Sequence, residues 1–214
     1  MTSVGLVHGL GGTAGTMHRI AEMLTTRGHT CTAVTLPGHG SSPDDLLAVG
    51  WSDWVAAVPV AEMLVGQSMG ASLCLAAAST RDDVRSTVRA VVAINAPAPD
   101  PDAVEGLEWR RSRGHEWLEA PPLAEGEAGY DRLPMHALLE MTNGVLATDF
   151  AGITVPVLLV NSALDDVVDP WSAEVIAPLL GGPVERLVLP RSGHVATLGP
   201  DLDLLVDAVH RRCD

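Results

Sequence analysis

Six short apolar runs separated by segments of helical spacing leave this chain few ways to fold. The runs are Val4-Gly5-Leu6-Val7-His8, Thr30 to Leu36, Met63-Leu64-Val65, Ala90 to Ile94, Pro156 to Val160 and Val184 to Leu189. Each is too short for a core helix; Thr30 to Leu36 is β-branched, and the runs at 4–8, 63–65, 90–94 and 156–160 lack the polar alternation of a half-exposed strand. Between them, Met17, Ile20, Ala21 and Leu24 recur at helical spacing, with Gly28 as the stop. Trp51 to about Val58 reads as a short helix and Ala71 to Ser79 as an Ala-rich one. Leu202, Leu205, Val206 and Val209 share one face of a last helix. Buried strands alternating with helices predict an α/β fold, with a mostly parallel six-stranded sheet covered by helices on both faces. A chain of 214 residues suits one such domain and can bury its core without disulfides or metals.

The alternation breaks between Ala96 and Gly144. Pro97, Pro99, Pro101, Pro121 and Pro134 fall here, with ten acidic residues, four Arg and short helical pieces such as Met135 to Met141. The stretch reads as an insertion between sheet strands, and such insertions often cover a site. The expected organisation is a core in two parts, residues 1–95 and 145–214, with a small helical lid over 96–144.

The formal net charge is −14, and all 13 basic residues are Arg. That balance speaks against a nucleic-acid or anionic-membrane partner, since both demand a basic patch. Cys31, Cys74 and Cys213 are too few and too widely spaced for a disulfide framework or a zinc site. A reducing, cytoplasmic setting is expected. No basic leader opens the sequence, and no stretch has the roughly 18 apolar residues needed to span a bilayer.

Gly66-Gln67-Ser68-Met69-Gly70 is the most specific signal. A G-x-S-x-G pattern alone is weak, but here it follows an apolar strand and opens a helix. In that setting it predicts a nucleophile elbow. The sharp turn holds Ser68 in a strained conformation at the end of the sheet, and only small residues let strand and helix approach so closely.

A serine hydroxyl needs a base beside it. His194, in Ser192-Gly193-His194 after the last strand, is placed to act as one. His8 and His39 also stand at strand ends, but His8 opens a Gly-rich loop, where holding that loop suits it better. The base in turn needs a carboxylate to orient it and to stabilise the imidazolium. The loop after Val157–Val160 offers Asp165, Asp166 and Asp169. Asp165 comes first and is the expected partner, Asp166 is its rival, and Asp169 before Pro170 fits a helix N-cap. Two backbone N–H groups would hold an oxyanion, those of Met69 after the nucleophile and Leu10 in His8-Gly9-Leu10-Gly11-Gly12.

These residues together resemble the α/β-hydrolase fold family over nearly the whole chain. The closest likeness is to small bacterial carboxylesterases related to monoacylglycerol lipases. It is carried by Leu6-Val7-His8-Gly9, Leu36-Pro37-Gly38-His39-Gly40, Trp51-Ser52-Asp53-Trp54, Asn95-Ala96-Pro97, Pro156 and Ser192-Gly193-His194-Val195-Ala196-Thr197-Leu198. The resemblance implies hydrolysis of carboxylic esters by a Ser68–Asp165–His194 triad through an acyl-enzyme, on a small-molecule ester, with no metal or cofactor. The chain departs from the family pattern in three places. It has no strands before Val4, its helix before the nucleophile strand is short, and its lid is trimmed. Trp109, Trp117, Met135, Leu138, Leu139, Val167 and Val195 are candidate pocket-wall residues, with ordinary core packing as the competing role. The same triad would serve a thioesterase on a carrier-bound acyl chain, a lactonase or a carbon–carbon bond hydrolase. A carrier would need a basic docking face, for which only Arg110, Arg111 and Arg113 are on offer. A non-catalytic binding module on this fold is the remaining alternative.

Overall fold

The computed structural model describes residues 1–121, 123 and 126–213. Pro122, Ala124 and Glu125 of the expected insertion therefore lie outside the described residues. The first half of the chain runs β1 (Ser3–Val7), α1 (His18–Thr26), β2 (Thr30–Val34), α2 (Trp51–Ala57), β3 (Met63–Gln67), α3 (Met69–Thr80), α4 (Asp82–Arg85) and β4 (Ala90–Ile94). The second half runs α5 (Pro101–Ser112), β5 (Trp117–Glu119), β6 (Arg132–Pro134), α6 (Met135–Leu146), β7 (Val157–Ser162), α7 (Ser172–Ile176), β8 (Val184–Leu189) and α8 (Leu202–His210).

Six strands form one parallel sheet in the order β2-β1-β3-β4-β7-β8. Strands β3, β4 and β7 are buried at every residue. Burial on both faces explains why they are continuous apolar runs in sequence. The outermost strands β2 and β8 mix exposed and half-buried positions.

Two cores flank the sheet. On one face Val4, Leu6, Met63, Val65, Val92 and Val160 pack against Ile20 and Leu24 of α1 and Leu205, Val206 and Val209 of α8. On the other, Val7, Leu64, Val91 and Leu159 pack against Trp54 of α2, Leu73 and Leu75 of α3, Ala137 and Val145 of α6 and Ile176 of α7. The strand order reverses direction between β1 and β3. In open α/β sheets the crevice at the carboxyl ends of such a pair is where ligands bind.

The stretch between β4 and β7 is more regular than its prolines suggest. Helix α5 is 12 residues long. Asp100 caps it by accepting the Asp102 N–H, Pro101 stands in its first turn, and Gly114 just beyond it has φ +86°. These start and stop signals are legible in sequence, but α5 buries no residue and so shows no apolar stripe. Helix α6 continues to Leu146, two residues past the expected boundary at 144. It packs into the core with Ala137 and Val145, so this end of the segment belongs structurally to the main body. Between α5 and α6, β5 and β6 form a two-stranded antiparallel pair.

Candidate active site

Ser68 stands where β3 turns into α3, with φ 55° and ψ −125°. A non-glycine residue in this region stores about 1–3 kcal/mol and persists only when its surroundings impose it. The turn is imposed by closeness. A Cβ on Gly66 would lie 2.2 Å from the Gly70 carbonyl oxygen, and one on Gly70 would lie 2.2 Å from the Val7 carbonyl oxygen. The Ser68 N–H donates to the Ile94 carbonyl at 2.8 Å, which fastens the turn to β4. Met69 begins α3, and its N–H is among the first-turn donors that a helix cannot satisfy internally. That donor and the positive end of the helix both sit beside Ser68.

His194 Nδ1 lies 3.0 and 2.9 Å from the two carboxylate oxygens of Asp165. Asp165 Oδ1 also accepts the N–H groups of Val167 and Val168, each at 2.9 Å. Burial of this carboxyl would raise its pKa. The His194 hydrogen bond and charge, with those two amides, outweigh burial and hold it below the usual carboxylate range. Asp166, the rival, is exposed to solvent and lines the cavity that His194 also lines. Asp169 accepts the Trp171 N–H at 2.9 Å in the turn ahead of α7, but the helix N-cap is Trp171, with no side-chain cap bond, so Asp169 does not take the capping role expected of it.

The Gly-rich loop after β1 comes beside Ser68, and a Cβ on Gly9 would lie 3.1 Å from that of Ser68. His8 holds this loop. Its Nδ1 faces the Gly9 carbonyl at 2.7 Å and its Nε2 accepts the Leu36 N–H at 3.1 Å. A carbonyl can only accept and an amide can only donate, so the ring is neutral with its proton on Nδ1. Burial is the main cause that lowers the His8 pKa to about 4, against the Gly9 hydrogen bond, and the charge of His39 adds to the lowering. The folded state therefore refuses a proton that the unfolded chain takes up below about pH 6.5. Stability is fully present above that pH and falls as pH drops toward 4, by about 3 kcal/mol in all. Urea unfolding between pH 6.5 and 5, above most carboxylate titration, should show this slope, and a flat profile there would count against a neutral buried His8.

Ser68, His194 and Leu10 line one cavity of about 500 Å³, within the size range of small-molecule sites. Its apolar wall includes Leu118, Leu133, Leu138, Val167 and Val195. Three of the residues expected there, Leu138, Val167 and Val195, are thus present. The other four are not. On α6, Leu138 and Met141 point into the cavity at i, i+3 spacing, while Met135 and Leu139 lie at i, i+4 on a stripe buried in the protein, only 1% and 4% exposed. Trp109 is 58% exposed on α5, with the Arg113 guanidinium 5.0 Å from its ring centre. Trp117 is likewise outside the wall, under the guanidinium of Arg132. Of the basic run on α5, Arg113 is stacked on Trp109 and Arg111 pairs with Glu108 at 3.8 Å. Glu119, Glu127 and Asp166 also line the cavity.

Three side chains that sequence reasoning gave no role hold the site together. Tyr130 lines the cavity, and its hydroxyl donates to the Gly38 carbonyl at 2.9 Å and accepts the Ser41 N–H at 3.1 Å. Its own N–H donates to the Gly11 carbonyl at 2.9 Å. Gln67, the variable position before Ser68, is buried, and its Oε1 accepts both the N–H and the hydroxyl of Thr197, at 3.1 and 3.0 Å. Asn95 is buried at the end of β4 with φ 49°, bonded to Ser162 and to the His194 carbonyl. Besides the Asn95-Ala96-Pro97 match to the family pattern, the sequence signal Asn95 carries is a polar residue ending an apolar run.

A six-stranded parallel sheet, a strained serine on its strand-to-helix turn and an Asp–His pair on the later loops define a class. The chain belongs to the alpha/beta hydrolase family, whose profile it matches over residues 6–208. It is similar to a thermostable monoacylglycerol lipase of Bacillus sp. (strain H-257), with 30% identity over 94% of this chain and 86% of that protein. A solved structure of the metagenome-derived lipolytic enzymes LipS and LipT aligns with a TM-score of 0.82 at 27% identity, covering 97% of this chain and 94% of that one. A monoacylglycerol lipase of Paleococcus ferrophilus shares the fold, with a TM-score of 0.68 at 18% identity over 98% and 94% of the two chains. Among the described residues no helix is long and apolar enough to cross a membrane.

Proposed function

We propose that this protein is a serine hydrolase that cleaves neutral carboxylic esters of small or medium acyl chains. The observation that carries this reading is the strained Ser68 sharing one cavity with His194, whose Nδ1 is held by the buried carboxylate of Asp165. Ser68 Oγ attacks the ester carbonyl carbon and its proton passes to His194 Nε2. Asp165 stabilises the imidazolium, and the N–H groups of Met69 and Leu10 receive the negative charge on the carbonyl oxygen. The tetrahedral intermediate collapses, the carbon–oxygen bond to the alcohol breaks, and His194 returns the proton to the leaving alkoxide. Water, deprotonated by His194, then attacks the acyl-Ser68 and the serine is released.

The similarity to the Bacillus monoacylglycerol lipase supports an ester as substrate. The mainly apolar wall supports an acyl chain in the cavity. The acidic residues Glu119, Glu127 and Asp166 among its lining favour a neutral substrate over an anionic one. Residues 96–144 are assigned as a lid on the ground that Leu118, Leu133 and Leu138 from this segment supply part of the wall. Cysteine usage supports a reducing compartment, with the cytoplasm the expected one. A p-nitrophenyl ester chain-length series, with fluorophosphonate labelling of Ser68 followed by intact mass, tests nucleophile, reaction and pocket together. Turnover should peak at short to medium chains and vanish on labelling. Labelling without hydrolysis of any simple ester would move the assignment to a thioester or carbon–carbon substrate.

A further inference from the structure

Resting on the reading of Ser68, Asp165 and His194 above, we propose that Asn95 is a positioning residue whose side-chain amide sets the register of the segments that carry His194 and Asp165, next to the backbone bond that fastens the Ser68 turn. Asn95 follows β4 directly. The carbonyl of the preceding Ile94 accepts the Ser68 N–H at 2.8 Å, and the Asn95 N–H donates to the Val160 carbonyl of β7 at 2.8 Å. The backbone at this point thus touches the nucleophile turn on one side and the acid strand on the other.

The side chain adds the third segment. Its Oδ1 accepts the Ser162 N–H at 2.8 Å, and its Nδ2 donates to Ser162 Oγ at 3.0 Å and to the His194 carbonyl at 2.7 Å. The orientation of the amide is forced, because the Ser162 N–H can only donate and the His194 carbonyl can only accept. Both amide hydrogens and the oxygen are engaged, and the residue has no exposure to water. Ser162 in turn begins the acid loop, for its carbonyl accepts the Asp165 N–H at 3.3 Å. One amide therefore fixes the backbone carrying the base relative to the turn carrying its carboxylate. The φ of 49° aims the side chain across the ends of the strands, and Asn is among the few non-glycine residues that tolerate this conformation.

Backbone bonds also join these two segments, from the Leu164 N–H to the Ser192 carbonyl at 3.1 Å and from the Ala163 N–H to the Leu189 carbonyl at 2.9 Å, but they stop short of His194. Gln67 grips Thr197, three residues beyond His194. Asp201 grips the approach to the loop, accepting the Arg191 N–H at 2.7 Å and the Ser192 hydroxyl at 2.9 Å. Asn95 holds His194 itself, and it alone of the three reaches the acid strand as well. Misplacing a base by about 1 Å costs on the order of 100-fold in rate.

The decisive variant is Asn95→Gly, which supplies the left-handed backbone without strain but removes the amide. On a short p-nitrophenyl ester, kcat should fall about 10- to 100-fold while KM stays within about twofold. The rate of fluorophosphonate labelling at Ser68 should fall in parallel, with circular dichroism unchanged. Wild-type kcat, or a change confined to KM, overturns the proposal and leaves Asn95 a backbone residue. If Asn95→Gly does not fold, Asn95→Asp serves. It keeps an acceptor for the Ser162 N–H and loses the donor to His194, so the same loss is expected and the same wild-type result is fatal. Failure of both to fold makes Asn95 a residue of the fold and also overturns the proposal. Ser68→Ala, run alongside, separates the two levels. Turnover surviving in Ser68→Ala sinks the hydrolase reading, whereas inactive Ser68→Ala beside wild-type Asn95→Gly sinks only the role of Asn95.

Discussion

Ser68→Ala lowers ester turnover by about 10⁴-fold or more, by the measure of other serine hydrolases, while the melting temperature stays close to that of the parent. The alanine removes only the hydroxyl, in a turn whose shape is set by Gly66, Gly70 and the Ile94 carbonyl rather than by that hydroxyl. Asp165→Asn should cost about 10⁴-fold, since an amide in place of the carboxylate no longer stabilises the imidazolium and favours the wrong tautomer. Asp166→Asn should change turnover only a few-fold, because the carboxylate bonded to His194 Nδ1 is that of Asp165. Steady-state kinetics on one p-nitrophenyl ester reads all three. An inactive Asp166→Asn beside an active Asp165→Asn would transfer the role of acid to Asp166.

Gly70→Ala should destabilise the protein by about 3 kcal/mol or more, a drop in melting temperature of roughly 10 °C for a chain of this size. The new Cβ would lie 2.2 Å from the Val7 carbonyl oxygen and 2.5 Å from that of His8. Both are backbone atoms of the first strand and its exit, with no rotamer to yield, so α3 must lift from the sheet. The displaced backbone also carries the loop beside Ser68, so activity should fall even where folded protein survives. Differential scanning calorimetry checks the first effect. A melting temperature within about 2 °C of wild type would mean that strand and helix are not pressed together at this turn.

The features legible in sequence are those whose cause is local or periodic. Strands β3, β4 and β7 show as apolar runs because the sheet is covered on both faces. Ser68 shows because the steric demand of its turn falls on residues two before and two after it. Asp165 precedes Asp166 after its strand, but choosing between them needed the 2.9 Å contact with His194. The wall of the cavity was only half legible. Leu138 and Leu139 are adjacent, alike in chemistry and both at home in a helix, so the way α6 rolls against the sheet decides which of them meets the cavity. Trp109 has the size and apolarity of a pocket residue, yet α5 carries it outward.

Sequence alone therefore determined the class of fold, the strained turn at Ser68, and the order in which the proposed serine, acid and base follow one another. Each rests on short-range sterics or on the period of burial along a single segment. The tertiary structure alone decided which carboxylate holds His194, which face of α6 bounds the cavity, and that Asn95, Gln67 and Tyr130 bind distant loops into one site. Those are contacts between residues up to 130 positions apart, as for Gln67 and Thr197. Their partners become neighbours only when the parallel strands bring their carboxyl ends to one edge of the sheet.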